Sequence, residues 1–159
     1  MAAERHILVV DDEEEVRDTL YNVLKSLDYK PHVAASGKEA LQIIKQEKID
    51  VVLSDLYMPE MDGIELLKKV RMENNKIVFL MITAHPTIET AVEAIKKGAY
   101  DYLTKPFHIE EVRLKINRAL EKKGLYGSLK MANGIIWALL ISIPIWLILG
   151  IILASMFSD

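Results

Sequence analysis

Short apolar runs rich in β-branched residues punctuate the chain: Ile7-Leu8-Val9-Val10, Val51-Val52-Leu53 and Ile77 to Ile82. None of them alternates with polar residues, so each reads as a strand covered on both faces, the habit of a parallel sheet. Lys30 to Ala34 and Ala99 to Leu103 are weaker candidates for the same role. Between the runs the apolar positions change to helical spacing. Val16, Leu20, Val23, Leu24 and Leu27 share one helical face, and Ile88, Ala91, Val92 and Ile95 share another, which predicts helices laid over the sheet. Local signals agree. Ser36 with Glu39 forms a capping box ahead of the second helix, Gly98 follows the fourth, and a fifth helix over Ile109 to Glu121, through Val112, Ile116, Ala119 and Leu120, ends near Gly124. The pattern is strand and helix repeated five times, an α/β domain over residues 4–123.

The pattern then changes. Residues 124–131, with two glycines and a serine, read as a linker, and from Ala132 to Ser158 there is no charged side chain. Gly134 to Phe157 as a helix would be roughly 36 Å long, enough to cross a hydrocarbon core of about 30 Å. One transmembrane helix over residues 132–158 is therefore expected, attaching the chain to a membrane through residues 134–157. Pro144 predicts a kink, and Trp137 and Trp146 are candidate anchors. Gly134, Ala138 and Ser142, then Gly150 and Ala154, are spaced for close helix pairing, which would allow a homodimer. Lys115, Arg118, Lys122, Lys123 and Lys130 precede the span, whereas Asp159 follows it. That asymmetry predicts a single-pass topology with the folded domain in the cytoplasm.

Composition narrows the chemistry. The absence of cysteine excludes disulfide scaffolds, thiolate zinc sites and cysteine nucleophiles. A formal net charge of −3 offers no surface for nucleic acid. Met1 to His6 carries Glu4 and Arg5 and has no apolar run of the kind a secretory signal needs.

Right-handed crossovers bring every strand-to-helix loop to the same edge of a parallel sheet, and ligands bind there. The residues just past the strong strands are Asp11 and Asp12, Asp55, Thr83 and Lys105. Any one of them alone is an ordinary turn or loop residue. Together they put three carboxylates, a hydroxyl and an ammonium in one place. Crowded carboxylates repel unless a cation lies among them, and hard oxygen donors with open positions suit Mg²⁺. An acidic magnesium pocket suggests phosphate chemistry.

The strings HILVVDDEEE, VVLSDLYMPEMDGIELL, VFLMITAH and KKGAYDYLTKPF resemble the receiver domain of bacterial response regulators, particularly those of nitrogen-regulator-type transcription factors, from about Glu4 to Lys123. The resemblance implies a flavodoxin-like (βα)5 fold with parallel sheet order 2-1-3-4-5. It also implies a set of roles. Asp55 would be the phosphoacceptor. Asp12 and Asp55 would bind Mg²⁺ through carboxylates, Tyr57 through its backbone carbonyl and Asp11 through a water. Thr83, the backbone of Ala84, and Lys105 would hold the phosphoryl group, while Thr83 and Tyr102 would form the switch. Lys105-Pro106 falls where the family often has a cis bond.

Two departures stand beside the likeness. After Lys123 there is neither a phosphate-binding loop of the ATPase type nor a helix-turn-helix, and His108 takes the place of a capping residue before the fifth helix. The expected function is a membrane-anchored, single-domain response regulator that catalyses only its own phosphorylation and dephosphorylation. Its phosphoryl group would come from a sensor histidine kinase or a phosphotransfer protein, and it would signal to an unknown downstream protein by contact through its fourth helix, fifth strand and fifth helix. Two alternatives remain. One is a magnesium-dependent phosphatase or phosphotransferase of the haloacid-dehalogenase kind, which needs a second Asp two positions after the nucleophile, where this chain has Tyr57. The other is a membrane adaptor indifferent to phosphorylation.

Overall fold

The computed structural model describes residues 4–121. Ten elements alternate in chain order: β1 (His6–Val10), α1 (Glu14–Ser26), β2 (Lys30–Ala34), α2 (Gly37–Gln46), β3 (Val51–Asp55), α3 (Gly63–Glu73), β4 (Val78–Thr83), α4 (Ile88–Lys96) and β5 (Asp101–Thr104), then α5 (residues 109–121). The five strands form one parallel sheet in the order β2-β1-β3-β4-β5, which is the expected flavodoxin-like arrangement.

The unalternating runs are explained by two cores, one on each face of the sheet. Ile7 and Val9 of β1 pack with Leu20 and Leu24 of α1 and with Val112 and Ile116 of α5. Leu8 and Val10 point the other way, toward Ala40 of α2 and Leu66, Leu67 and Val70 of α3. Successive strand residues face opposite sides, so a strand covered on both faces must be apolar at every position. In register, Val10 lies beside Ser54 and Asp55 beside Ile82. The C-terminal ends of β1, β3 and β4 are thereby level, and their loops open on one edge.

Several boundaries differ from the expected ones for local reasons. β3 continues past its apolar run through Ser54 to Asp55, both buried. β5 begins at Asp101 rather than Ala99. The reason is that Gly98, at φ +102°, closes α4, and the Ala99 N–H is used by Ala94 O of that helix at 2.9 Å. The box at α2 is offset by one residue. Ser36 Oγ accepts from Glu39 N at 3.3 Å, but the Glu39 carboxylate accepts from Ala35 N at 2.8 Å rather than from Ser36. His108 stands immediately before α5, and its carbonyl accepts from Glu111 N and Val112 N.

α4 requires a correction. Ile88, Val92 and Ile95 were expected to cover the sheet, yet Ile88 is 80% exposed, Val92 45% and Ile95 47%. Ala94 is the residue of α4 that is buried. Helical spacing defines faces without saying which one turns inward. Here Ala94 joins the core with Leu56 and Met81, Ala91 is half-buried, and the larger side chains face out. The expected linker and transmembrane helix lie outside the described residues. Among the described residues no helix is long and apolar enough to cross a membrane.

Candidate functional site

The level strand ends deliver the carboxylates. Asp11 follows β1 and is fully buried, Asp55 ends β3 and is 7% exposed, and Asp12 lies beside them on the solvent side. Carboxylate oxygens of these three residues come within 4.8 Å of one another. Backbone contacts fix the group. Asp11 N donates to Ala34 O of β2, Asp11 Oδ1 accepts from Glu13 N at 2.9 Å, and Arg17 donates to Asp11 O at 2.7 Å. Asp55 Oδ1 accepts from its neighbour Leu56 N at 2.7 Å.

Lys105 enters from the loop after β5, held by its N–H to Thr83 O at 2.8 Å. The Lys105-Pro106 bond is cis, as the resemblance implied. Its Nζ lies 2.8 Å from Asp11 Oδ2, 3.2 Å from Glu13 Oε1 and 3.3 Å from Asp55 Oδ2. Burial lowers the pKa of this ammonium, but the hydrogen bond to Asp11 and the charge of Asp55, with Asp11 and Glu13 adding to them, outweigh burial and leave it raised. Asp55 is raised as well. Burial is the main cause and the Asp11 charge adds to it, while Lys105 and the Leu56 N–H oppose.

Asp11 Oδ2 is buried and faces the Lys105 ammonium as an ion pair at 2.8 Å. Burying a carboxylate is costly unless a cation compensates it. Together with two further carboxylates and no nitrogen or sulfur donor, it makes a set of hard oxygens that fits a divalent cation of the Mg²⁺ type.

The other expected site residues surround this centre. Thr83, at the end of β4, is 4% exposed, and its Oγ1 accepts from His85 N at 3.1 Å. Ala84 follows it on an exposed loop, and Tyr57 lies in the loop after β3 with its side chain 55% exposed. Tyr102, on β5, is 39% exposed. Its ring lies 5.6 Å from Lys115 Nζ and borders a small pocket shared with Thr83, Leu56, Met81 and Ala94. Tyr102 and Thr83 thus border the same small gap.

Sequence reasoning passed over two participants. Glu13 was given no role, yet it contacts Lys105; its position two residues past Asp11, on the same loop, was the available signal. Gly63 is the other. It opens α3 directly behind Asp62, whose Oδ1 caps the helix at Glu65 N, and it donates its N–H to Leu56 O at 2.9 Å. A glycine immediately after a capping aspartate was the clue that backbone passes close by.

The chain matches the family described as response regulator receiver domain over residues 7–117. It is 41% identical over 125 residues to the regulatory protein AtoC of Escherichia coli, covering 79% of this chain and 27% of that protein. To the putative NtrX-like response regulator of Rickettsia bellii it is 38% identical over 117 residues, covering 72% and 24%. The chain therefore spans about a quarter of the length of these curated relatives. Among solved structures, NtrX from Brucella abortus in complex with ADP aligns with TM-score 0.77 and 33% identity, over 80% of this chain and 29% of that one. The chemotaxis protein CheY4 of Vibrio cholerae aligns with TM-score 0.71 and 34% identity, over 74% and 99%.

Proposed function

This chain belongs to the response regulator receiver family, the phosphoaccepting modules of two-component systems, and from that membership we propose that Asp55 is the residue phosphorylated; from the charge-free tail we propose that the receiver is held on the cytoplasmic face of a membrane. The observation that carries the assignment of Asp55 is its place in the pocket. It is the carboxylate at the end of the central strand, contacted by Lys105 and within 4.8 Å of the Asp11 and Asp12 carboxylates.

The chemistry is the one that family membership implies for these residues. A carboxylate oxygen of Asp55 attacks the phosphorus of a phosphohistidine on a sensor kinase or phosphotransfer protein. The new P–O bond forms as the P–N bond breaks, and the departing imidazole takes up a proton. Asp12 and Asp55, with the Tyr57 carbonyl and Asp11 behind a water, would hold Mg²⁺, which supplies positive charge for the phosphoryl oxygens in a loose transition state. Lys105 turns from its carboxylate partners to the incoming oxygens, and its raised pKa keeps it cationic. Thr83 and the Ala84 N–H then bind the transferred group, and inward rotation of Tyr102 fills the space the Thr83 hydroxyl leaves.

The charge-free segment over residues 132–158 supports membrane attachment, and the basic residues before it support a cytoplasmic receiver. Output by protein contact is supported by the exposed apolar side chains of Ile88, Val92 and Ile95 on α4 and by the exposed Tyr102 on β5. The experiment is phosphorylation by a small phosphodonor with Mg²⁺. One acid-labile phosphoryl group per chain is expected in the wild type and none in Asp55→Asn, and labelling that survives in the variant would refute the assignment.

A further inference from the structure

The far end of β1 carries a second cluster of ligating side chains that phosphorylation does not use. His6 begins β1, and His32 lies on β2 beside Leu8. Since His6 itself lies beside Lys30, the two histidines are two positions apart on adjacent strands and share a face. It is the face covered by α2, and Glu47, the residue that closes α2, reaches the same spot. One ligating atom from each of His6, His32 and Glu47 falls within 4.8 Å of the others. His6 Nδ1 and His32 Nε2 are 3.1 Å apart, with the rings 19° from parallel.

That separation is informative. Two imidazole nitrogens on a tetrahedral zinc, each about 2.0–2.1 Å from the metal, are about 3.3 Å from one another. Without an ion the same contact needs one ring to donate and the other to accept, and it is lost if both are protonated. His32 is pushed toward the neutral form a metal needs, chiefly by burial, then by His6, with Lys30 acting in the same direction and Glu47 opposing. The three backbones are also held in place. His6 N donates to Asp50 Oδ2 at 3.0 Å and His6 O accepts from Asp50 N at 2.9 Å, His32 is within the sheet, and Glu47 N donates to Ile43 O at 2.8 Å. Glu47 is exposed whereas the histidines are half-buried, so the carboxylate stands at the entrance and the nitrogens behind it.

We propose that His6, His32 and Glu47 form a binding site for a divalent transition ion of the zinc type, at the opposite end of β1 from the acidic pocket. Two imidazoles and one carboxylate select such an ion over Mg²⁺, which takes oxygen donors. Three protein ligands leave one position for water. The ion ties the outer strand β2 to the end of α2, so its effect is on the stability of that corner of the domain.

The test is titration of Zn²⁺ into the full-length, untagged chain with Mg²⁺ in excess to occupy the acidic pocket. One equivalent is expected to bind in the micromolar range, and Co²⁺ in its place should give the visible absorption of a low-symmetry site. His32→Asn should weaken binding about tenfold or more, on the scale by which even indirect support of a metal ligand matters. Glu47→Gln changes an exposed side chain that folding does not need, and it should weaken binding as well; Asp12→Ala should leave it unchanged. Absence of Zn²⁺ binding to the Mg²⁺-saturated wild type would overturn the proposal and leave the two histidines as a simple hydrogen-bonded pair. So would affinity unchanged in both His32→Asn and Glu47→Gln, or affinity lost in Asp12→Ala.

Discussion

Gly63 and Asp55 are in backbone contact: a Cβ on Gly63 would lie 2.3 Å from the Asp55 carbonyl oxygen and 3.1 Å from the Cα of Leu56. Both neighbours are main chain, so neither can rotate away. Gly63→Ala should therefore push α3 off β3, destabilise the domain by roughly 1–3 kcal/mol and slow phosphorylation, because the strand end carrying Asp55 moves. Urea denaturation and phosphodonor labelling measure the two effects. A variant as stable and as fast as the wild type would mean that α3 can shift without disturbing the pocket.

Asp55 makes the metal-free domain sensitive to pH in a definite direction. Its folded pKa is raised, so its contribution to stability is fully present below the unfolded value of about 4 and is lost as pH rises through the folded pKa. Asparagine does not titrate. In the presence of chelator, Asp55→Asn should be more stable than the wild type at neutral pH, and the advantage should shrink as pH falls toward about 4. An advantage that grew on acidification would contradict the raised pKa.

The acidic pocket should also report its cation through stability. At a Mg²⁺ concentration one hundred times the dissociation constant, linkage gives about 2.7 kcal/mol, visible as a higher melting temperature of the wild type. Asp12→Ala removes an exposed carboxylate that crowds Asp11 and Asp55, so it should melt no lower than the metal-free wild type and respond little to Mg²⁺. Equal Mg²⁺ responses in the two proteins would place the ion elsewhere.

Membrane attachment is tested by fractionation. Inside lipid a backbone satisfies its polar groups as a helix, and 132–158 offers no charge to oppose insertion. The full-length chain should sediment with membranes, resist carbonate extraction and be open to protease from the cytoplasmic side. Recovery as a soluble monomer would remove the membrane from the proposed function.

Much of this was legible in the sequence. Apolar runs at Ile7 to Val10 and Val51 to Leu53 mark strands buried on both faces, because the alternation of strand side chains allows no polar position between two cores. Once parallel strands are known, right-handed crossovers collect Asp11, Asp12, Asp55, Thr83 and Lys105 on one edge with no further information. Other features depended on distance and direction, which the order of residues does not encode. The stripe Ile88, Val92, Ile95 has the period of a buried face yet points to solvent, while Ala94 is the residue of α4 packed with Leu56 and Met81. Glu13 became a partner of Lys105, and Gly63 a neighbour of Asp55, only when separate loops and helices were packed together. His6 and His32 are twenty-six positions apart and belong to no local motif. Strand register sets them side by side, since pairing β1 with β2 one residue out of step would turn one imidazole to the other face of the sheet.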